Sequence, residues 1–233
     1  MYATSALWAT LLAADGHYFV TKVSINGTEY TQDKIMELSV ELRMFSGQQP
    51  GVGGCLSGEL TLKMLAPSVT IPRMAEIIPY VQVTDGTQYS EWIPQGVYYI
   101  DTRETTKNDD NLPIMTFKAY DSMLKTEETY PDTTHAWPYA DADVVREIAD
   151  AIGVGVDPRT WALMTNAYQI SAPLGYSMRE VLGNIAAMYA GNWVMNYDGE
   201  LLLIAVNGIP QETNYLVDSV GDAITFGGDR ILV

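Results

Sequence analysis

The side chains able to act as nucleophile, metal ligand or proton carrier are few in this sequence and poorly spaced for chemistry. It has one cysteine, Cys55, and two histidines, His17 and His135, far apart along the chain. One thiol excludes an intramolecular disulfide and any multi-thiolate metal site. A His-rich zinc or iron site would need His17 and His135 to meet by folding. Cys55 has no neighbouring histidine, and no Gly-x-Ser-x-Gly elbow is present, so nucleophilic catalysis lacks its partners. Beside Leu56 at a strand start, Cys55 reads as a small core residue; His17 opens a strand, and His135 lies near Trp137 in a connection. The acidic pairs also have ordinary uses. Asp109 and Asp110 occupy a hairpin tip, where short polar side chains favour turns. Asp141 and Asp143 start a helix, where a carboxylate caps free amides. Neither pair has the ligand spacing of a calcium loop. Glycosidase chemistry needs two carboxylates facing across a cleft, and with 29 acidic residues such a pair cannot be picked out by spacing. The run Gly51-Val52-Gly53-Gly54-Cys55-Leu56-Ser57-Gly58 suggests a nucleotide loop. Its third glycine is misplaced, and no helix follows to aim amides at a phosphate. No catalytic residue, cofactor or metal is therefore assigned.

Composition narrows the classes further. Of 233 residues, 47% are hydrophobic and 18% charged, which describes a folded chain. A formal charge of -16 argues against gripping nucleic-acid phosphates, which takes a basic stripe. Tyrosines number 15, a residue suited to sheet surfaces and interfaces. No segment approaches the ~20 apolar residues that span a bilayer. The apolar stretch Ala6–Ala14 lacks a preceding Lys or Arg, so we read it as an amphipathic helix that docks on something and not as a cleaved leader. Thr4 or Ser5 would cap it, and Leu7, Trp8, Leu11 and Leu12 share one face.

Residues 17–120 read as strands and turns. Met36, Leu38, Val40, Leu42 and Met44 alternate with Glu37, Ser39, Glu41 and Arg43, which places the apolar set on one sheet face. Gly58, Leu60, Leu62 and Met64 repeat the pattern against Glu59, Thr61 and Lys63. Between them lies a long glycine-rich loop, Ser46 to Gly54. Further strands are expected over 77–84, 97–103 and 114–119, with Asp85-Gly86 as a hairpin turn. After Tyr120 two helices are expected. One runs 144–152 with Asp141 or Asp143 as cap and Gly153 as terminator. The other opens on the capping box Ser177-Met178-Arg179-Glu180 and ends at Gly191. A hairpin through Asp198-Gly199 follows, and Ile231-Leu232-Val233 reads as a strand of a fold that continues further. Many short strands at this spacing, with few helices, indicate a sandwich or a barrel, and a boundary between Lys125 and Pro138 separates this β part from an α+β part.

Several segments, in order, carry a resemblance. These are Leu60-Thr61-Leu62-Lys63-Met64, Ile71-Pro72-Arg73-Met74-Ala75, the pair around Asp85-Gly86, Trp92 to Asp101, and Ala119-Tyr120-Asp121. Ser177 to Leu182, Ala190-Gly191-Asn192-Trp193 and Asp198-Gly199-Glu200-Leu201 complete the set. Together they resemble the tail hub, or tail-associated, proteins of long-tailed bacteriophages and prophages. That family is similar in fold to the baseplate hub of contractile phages and to the hub part of type VI secretion spikes. The resemblance implies the fold class α+β, mainly β: a tube-like antiparallel β-barrel domain over 1–128, then an α+β domain over 129–233 with two helices, a hairpin and further barrel strands. It implies a homotrimer ring that closes the tail tube, with distal tail and tape-measure proteins as neighbours and DNA only in passage. It implies a virion tail component assembled in the bacterial host cytoplasm, and not an enzyme. Members often carry a downstream lysin or receptor-binding extension; this chain is too short to include one, so we expect a fragment or a compact hub. Expected contacts between copies are Leu7, Trp8, Leu11 and Leu12 of the first helix and Gln48, Gln49, Pro50 and Val52 of the glycine-rich loop. Carboxylates along a channel wall would let DNA pass without sticking. The rival readings are a tail-associated peptidoglycan hydrolase and a carbohydrate-binding β module.

Overall fold

The computed structural model describes residues 4–43, 45, 51–107, 110–131, 136–205, 225–226 and 229–230. Helix α1 (Ala6–Ala13) begins at Ser5, whose hydroxyl accepts the Trp8 amide at 3.1 Å. Eight strands follow: β1 (Tyr18–Ile25), β2 (Thr28–Thr31), β3 (Ile35–Glu41), β4 (Glu59–Leu65), β5 (Glu76–Thr84), β6 (Ile93–Pro94), β7 (Tyr98–Lys107) and β8 (Pro113–Asp121). They form one antiparallel sheet in the order β2-β1-β5-β7-β8-β4-β3, with β6 paired to β5. Asn26-Gly27 turns β1 into β2, both residues at positive φ (48° and 80°), the geometry that matches strand twist in a two-residue hairpin.

The two ends of this sheet, β2 and β3, are consecutive in sequence. Only Gln32, Asp33 and Lys34 separate them, so Thr31 and Ile35 can stand at most about 14 Å apart. The sheet must therefore curl until its ends meet at that turn. One core fills the inside and takes residues from all seven strands of the path. Tyr30 comes from β2, Val23 and Ile25 from β1, Ile77 from β5, and Tyr98 and Ile100 from β7; Phe117, Leu62 and Leu38 represent β8, β4 and β3. This is the mainly β arrangement that the alternation implied, curled as the resemblance led us to expect. Among the described residues no ladder joins β2 to β3, so the hydrogen-bonded path stays open at that seam.

The alternation of β4 is realised, with Leu60, Leu62 and Met64 fully buried. That of β3 is shifted. A bulge between Ile35 and Glu37 turns Ile35, Leu38 and Val40 inward and leaves Met36 exposed. One extra residue reverses the facing of everything before it. Leu42 lies past the end of β3 and is exposed. Met44, Gln48, Gln49, Pro50, Asp109, His135 and Ile231–Val233 lie outside the described residues.

A 3-10 turn over Ser122–Glu127 leads into the second part. It contains β9 (Tyr139–Ala140), α2 (Asp141–Ile152), α3 (Pro158–Leu163), β10 (Gln169–Ile170), α4 (Met178–Met188), β11 (Gly191–Met195) and β12 (Leu201–Ala205), then β13 (Thr225–Phe226) and β14 (Asp229–Arg230). Three two-stranded pairings, β9 with β10, β11 with β12 and β13 with β14, complete the sheets. A second core gathers Met123, Val144, Ile148, Leu182, Ile185, Trp193, Leu201 and Leu203.

Three details differ from expectation. A third helix, α3, starts on Asp157 with Pro158 in its first turn, a combination that satisfies amides and presets φ. At α2 the cap position belongs to Ala140, without a side-chain bond, and Asp141 stands inside the first turn. There it is fully buried and accepts the Tyr189 hydroxyl at 2.5 Å, a tertiary contact that takes precedence over capping. Helix α4 stops at Met188, because Ala190 adopts φ 49° and Gly191 already begins β11. The capping box is as expected: Ser177 Oγ accepts the Glu180 amide at 3.2 Å, and Glu180 accepts the Ser177 amide at 2.8 Å.

Candidate functional site

The glycine-rich run singled out in the sequence, with Cys55, lies where the curled sheet meets the second core, whereas His17, Asp110 and the pair Asp141 and Asp143 lie elsewhere. Residues 53–56 run as an added strand beside β11. Gly53 N donates to Gly191 O, Trp193 N to Gly54 O and Leu56 N to Trp193 O, each at 2.8 Å. Asn192 secures the same strap from its side chain. Its Oδ1 accepts the Gly54 amide at 2.8 Å and its Nδ2 donates to Gly51 O at 2.7 Å. The glycines serve close backbone approach: a Cβ on Gly183 of α4 would stand 2.7 Å from the Gly53 carbonyl oxygen. The run that looked like a nucleotide loop is a backbone seam.

Two charged residues lock the seam. The Asp121 carboxylate accepts Gly58 N at 2.6 Å, Ser57 Oγ at 2.9 Å and Met123 N at 3.0 Å. Burial raises its pKa, while these bonds and the Arg179 charge pull it down. Arg179 donates to Cys55 O at 3.2 Å and Met123 O at 3.0 Å. Its Nε lies 2.9 Å from Glu127 Oε1 as an ion pair, at an angle that makes no hydrogen bond. Cys55 is half-buried and its thiol faces Arg179 O at 3.4 Å; burial pushes the thiol up to about 12, so it is not a ready nucleophile.

Beside the seam a groove of about 650 Å³ opens between the end of β3 and the outer face of β11 and β12. Leu42, Leu56, Val194, Leu202 and Ile204 supply its apolar wall. Four of its polar side chains form a network. Asp157 accepts Arg159 Nε at 2.9 Å and Asn196 Nδ2 at 2.9 Å, and Asn196 Nδ2 also donates to Glu200 at 2.9 Å. The Arg159 guanidinium holds the Asp157 carboxyl well below the usual range. Among the described residues, no Cys, His, Ser, Thr or Lys lines this groove. Of its four carboxylates, Asp121, Asp157 and Glu200 are committed to amides, Ser57, Asn196 and Arg159, and Asp198 lines it beside Tyr197 and Arg43. Such a lining is suited to noncovalent contact. Among the described residues, no group of three His, Cys, Asp or Glu is placed to hold a metal ion, and no helix is long and apolar enough to cross a membrane.

The contact residues expected from sequence are scattered. Leu11 is buried under α1, Leu7 and Leu12 are exposed beside it, and Trp8 packs on Phe19 with ring centroids 6.4 Å apart. Val52 is exposed near the strap. Asn192 and Asp121, which hold the seam, stand in the motifs that carry the resemblance, but nothing local marks their role, since their partners lie 138 and 63 residues away in sequence.

No protein-family model and no curated protein matches this chain. Solved structures do. The chain superimposes on the 43 kDa tail protein of prophage MuSo2 from Shewanella oneidensis with a TM-score of 0.55 at 14% identity, covering 91% of this chain and 62% of that one. It superimposes on the tail protein from Neisseria meningitidis MC58 with a TM-score of 0.51 at 11% identity, covering 88% and 53%. The chain thus spans less than two thirds of the length of either protein. The fold is the one found in prophage tail proteins, as the ordered motifs implied.

Proposed function

We propose that this chain is a structural component of a phage or prophage tail tip, in which three copies form a hub ring that closes the tail tube and lines part of the DNA conduit. The observation that carries the reading is the fold shared with two prophage tail proteins over about nine tenths of the chain. The groove supports it, because its wall is largely apolar and Asp157, Arg159, Asn196 and Glu200 bond one another along its polar side. In this reading the chain divides into a barrel domain over 1–128 and an α+β domain over 129–233. Its neighbours are distal tail and tape-measure proteins, and assembly takes place in the host cytoplasm before the virion is complete. A charge of -16 lets DNA pass by repelling its phosphates. Loop residues Gln48, Gln49, Pro50 and Val52 contribute to the contacts between copies.

Light scattering on the purified chain, with electron microscopy of the same sample, tests this. A mass three times that of the monomer and ring-shaped particles are expected. A monomer at every concentration that clears peptidoglycan in a zymogram would overturn it in favour of a hydrolase.

A further inference from the structure

Helix α1 is apolar over a wider arc than the monomer covers. At about 100° per residue, Leu7 lies about 40° to one side of Leu11, with Trp8 and Leu12 about 60° and 100° to the other. An arc of that width is normally turned wholly to a core. Here only its centre is: Leu11 is 2% exposed, whereas Leu7 is 38% and Leu12 44% exposed. Trp8 extends the open flank to Phe19, itself 48% exposed.

We infer that this flank (Leu7, Trp8, Leu12 and Phe19) is the central contact between two copies of this chain. The inference rests on reading the chain as a self-assembling tail component and names the surface that assembles it. Charge selects the occupant. The chain carries 29 acidic against 13 basic residues, so two copies repel wherever carboxylates meet. From Thr4 to Ala14 there is no charged residue, and the carboxylates next to it are at its two ends, Glu91 held by Ser5 and Asp15 after Ala14; on the apolar flank between them copies can approach at least cost. A basic partner would be drawn to the acidic surface and would gain nothing from a neutral one. An anionic bilayer would repel a chain of this charge.

The helix is also held ready for contact. Ser5 donates both its amide and its hydroxyl to the Glu91 carboxylate, each at 2.6 Å, and Leu11 anchors the middle. A fixed surface loses little conformational entropy on binding. A stable interface buries about 800 Å² per partner, so these four side chains form its energetic centre and polar surroundings complete it.

The test is light scattering of the full chain over a concentration series, wild type against Leu7→Glu/Leu12→Glu and Leu7→Met/Leu12→Met. Both positions are exposed, so each variant should keep its circular dichroism spectrum and melt within about 2 °C of wild type. The glutamate pair should weaken self-association by about a hundredfold or more, and the methionine pair should leave it intact. A glutamate variant that melts like wild type and still assembles like it overturns this inference while leaving the assembly reading in place. A wild type that is monomeric throughout overturns the assembly reading itself, and co-flotation of that monomer with phosphatidylcholine vesicles would reassign the flank to a lipid surface.

Discussion

Replacing Gly183 with alanine sets two opposing effects against each other, so the sign of the result is decisive. Gly183 sits inside α4. Alanine at an unobstructed helix interior position is better than glycine by about 1 kcal/mol. Here its Cβ would come to 2.7 Å from the Gly53 carbonyl oxygen, nearer than real Cβ contacts allow. That oxygen is backbone, and the strap carrying it is tied by the Gly53, Trp193 and Leu56 amide bonds and by Asn192. Neither side can yield by a simple rotamer change. Overpacking of this kind costs about 1–3 kcal/mol, and a strap that lifts instead forfeits hydrogen bonds at about 1 kcal/mol each. We expect a net loss of up to about 2 kcal/mol, which for a chain of this length lowers Tm by up to about 8 °C. Urea titration and thermal melting followed by circular dichroism measure it, and amide exchange at Leu56 and Trp193 shows whether the strap has opened. An alanine variant more stable than wild type would mean that the strap does not press on α4, and the account of the seam would be refuted.

Two further outcomes follow from the charged and sulfur groups. Arg159 keeps the Asp157 carboxyl below its usual range, so the folded state favours the ionised form. The stability it contributes is fully present above the unfolded carboxylate pKa, near 4, and is lost as pH falls from there through the lower pKa of the folded state. Asp157→Asn retains a competent helix cap but should cost about 1–3 kcal/mol at pH 7 and flatten the acid limb of a stability–pH curve; an unchanged slope would count against the pair. For Cys55, with its thiol pushed up to about 12, alkylation by iodoacetamide at pH 8 should run about a thousandfold slower in the folded chain than in urea. Folded and unfolded rates within tenfold of each other would contradict its burial.

How much was legible depended on the reach of each signal. The capping box at Ser177 and Glu180 and the alternation from Glu59 to Leu65 were readable because their partners lie within a few residues. Helix α3 carried a readable start, Asp157 before Pro158, that went unread between two stronger patterns. The β3 bulge was not readable: Met36 and Ile35 are both apolar, and only pairing with Met64 and Lys63 of β4 decides which faces inward.

The sequence by itself determined the secondary-structure periods, the predominance of β structure and the poverty of catalytic groups, since each follows from local spacing or from residue counts. Tertiary structure alone decided what the glycine-rich run is for. Its amides and carbonyls pair with Gly191 and Trp193, more than a hundred residues downstream, and a backbone hydrogen bond carries no side-chain signature in either strand. It decided likewise that α1 buries Leu11 and leaves Leu7 and Leu12 open, because burial is settled by how much surface the sheet offers and not by the helix's own periodicity.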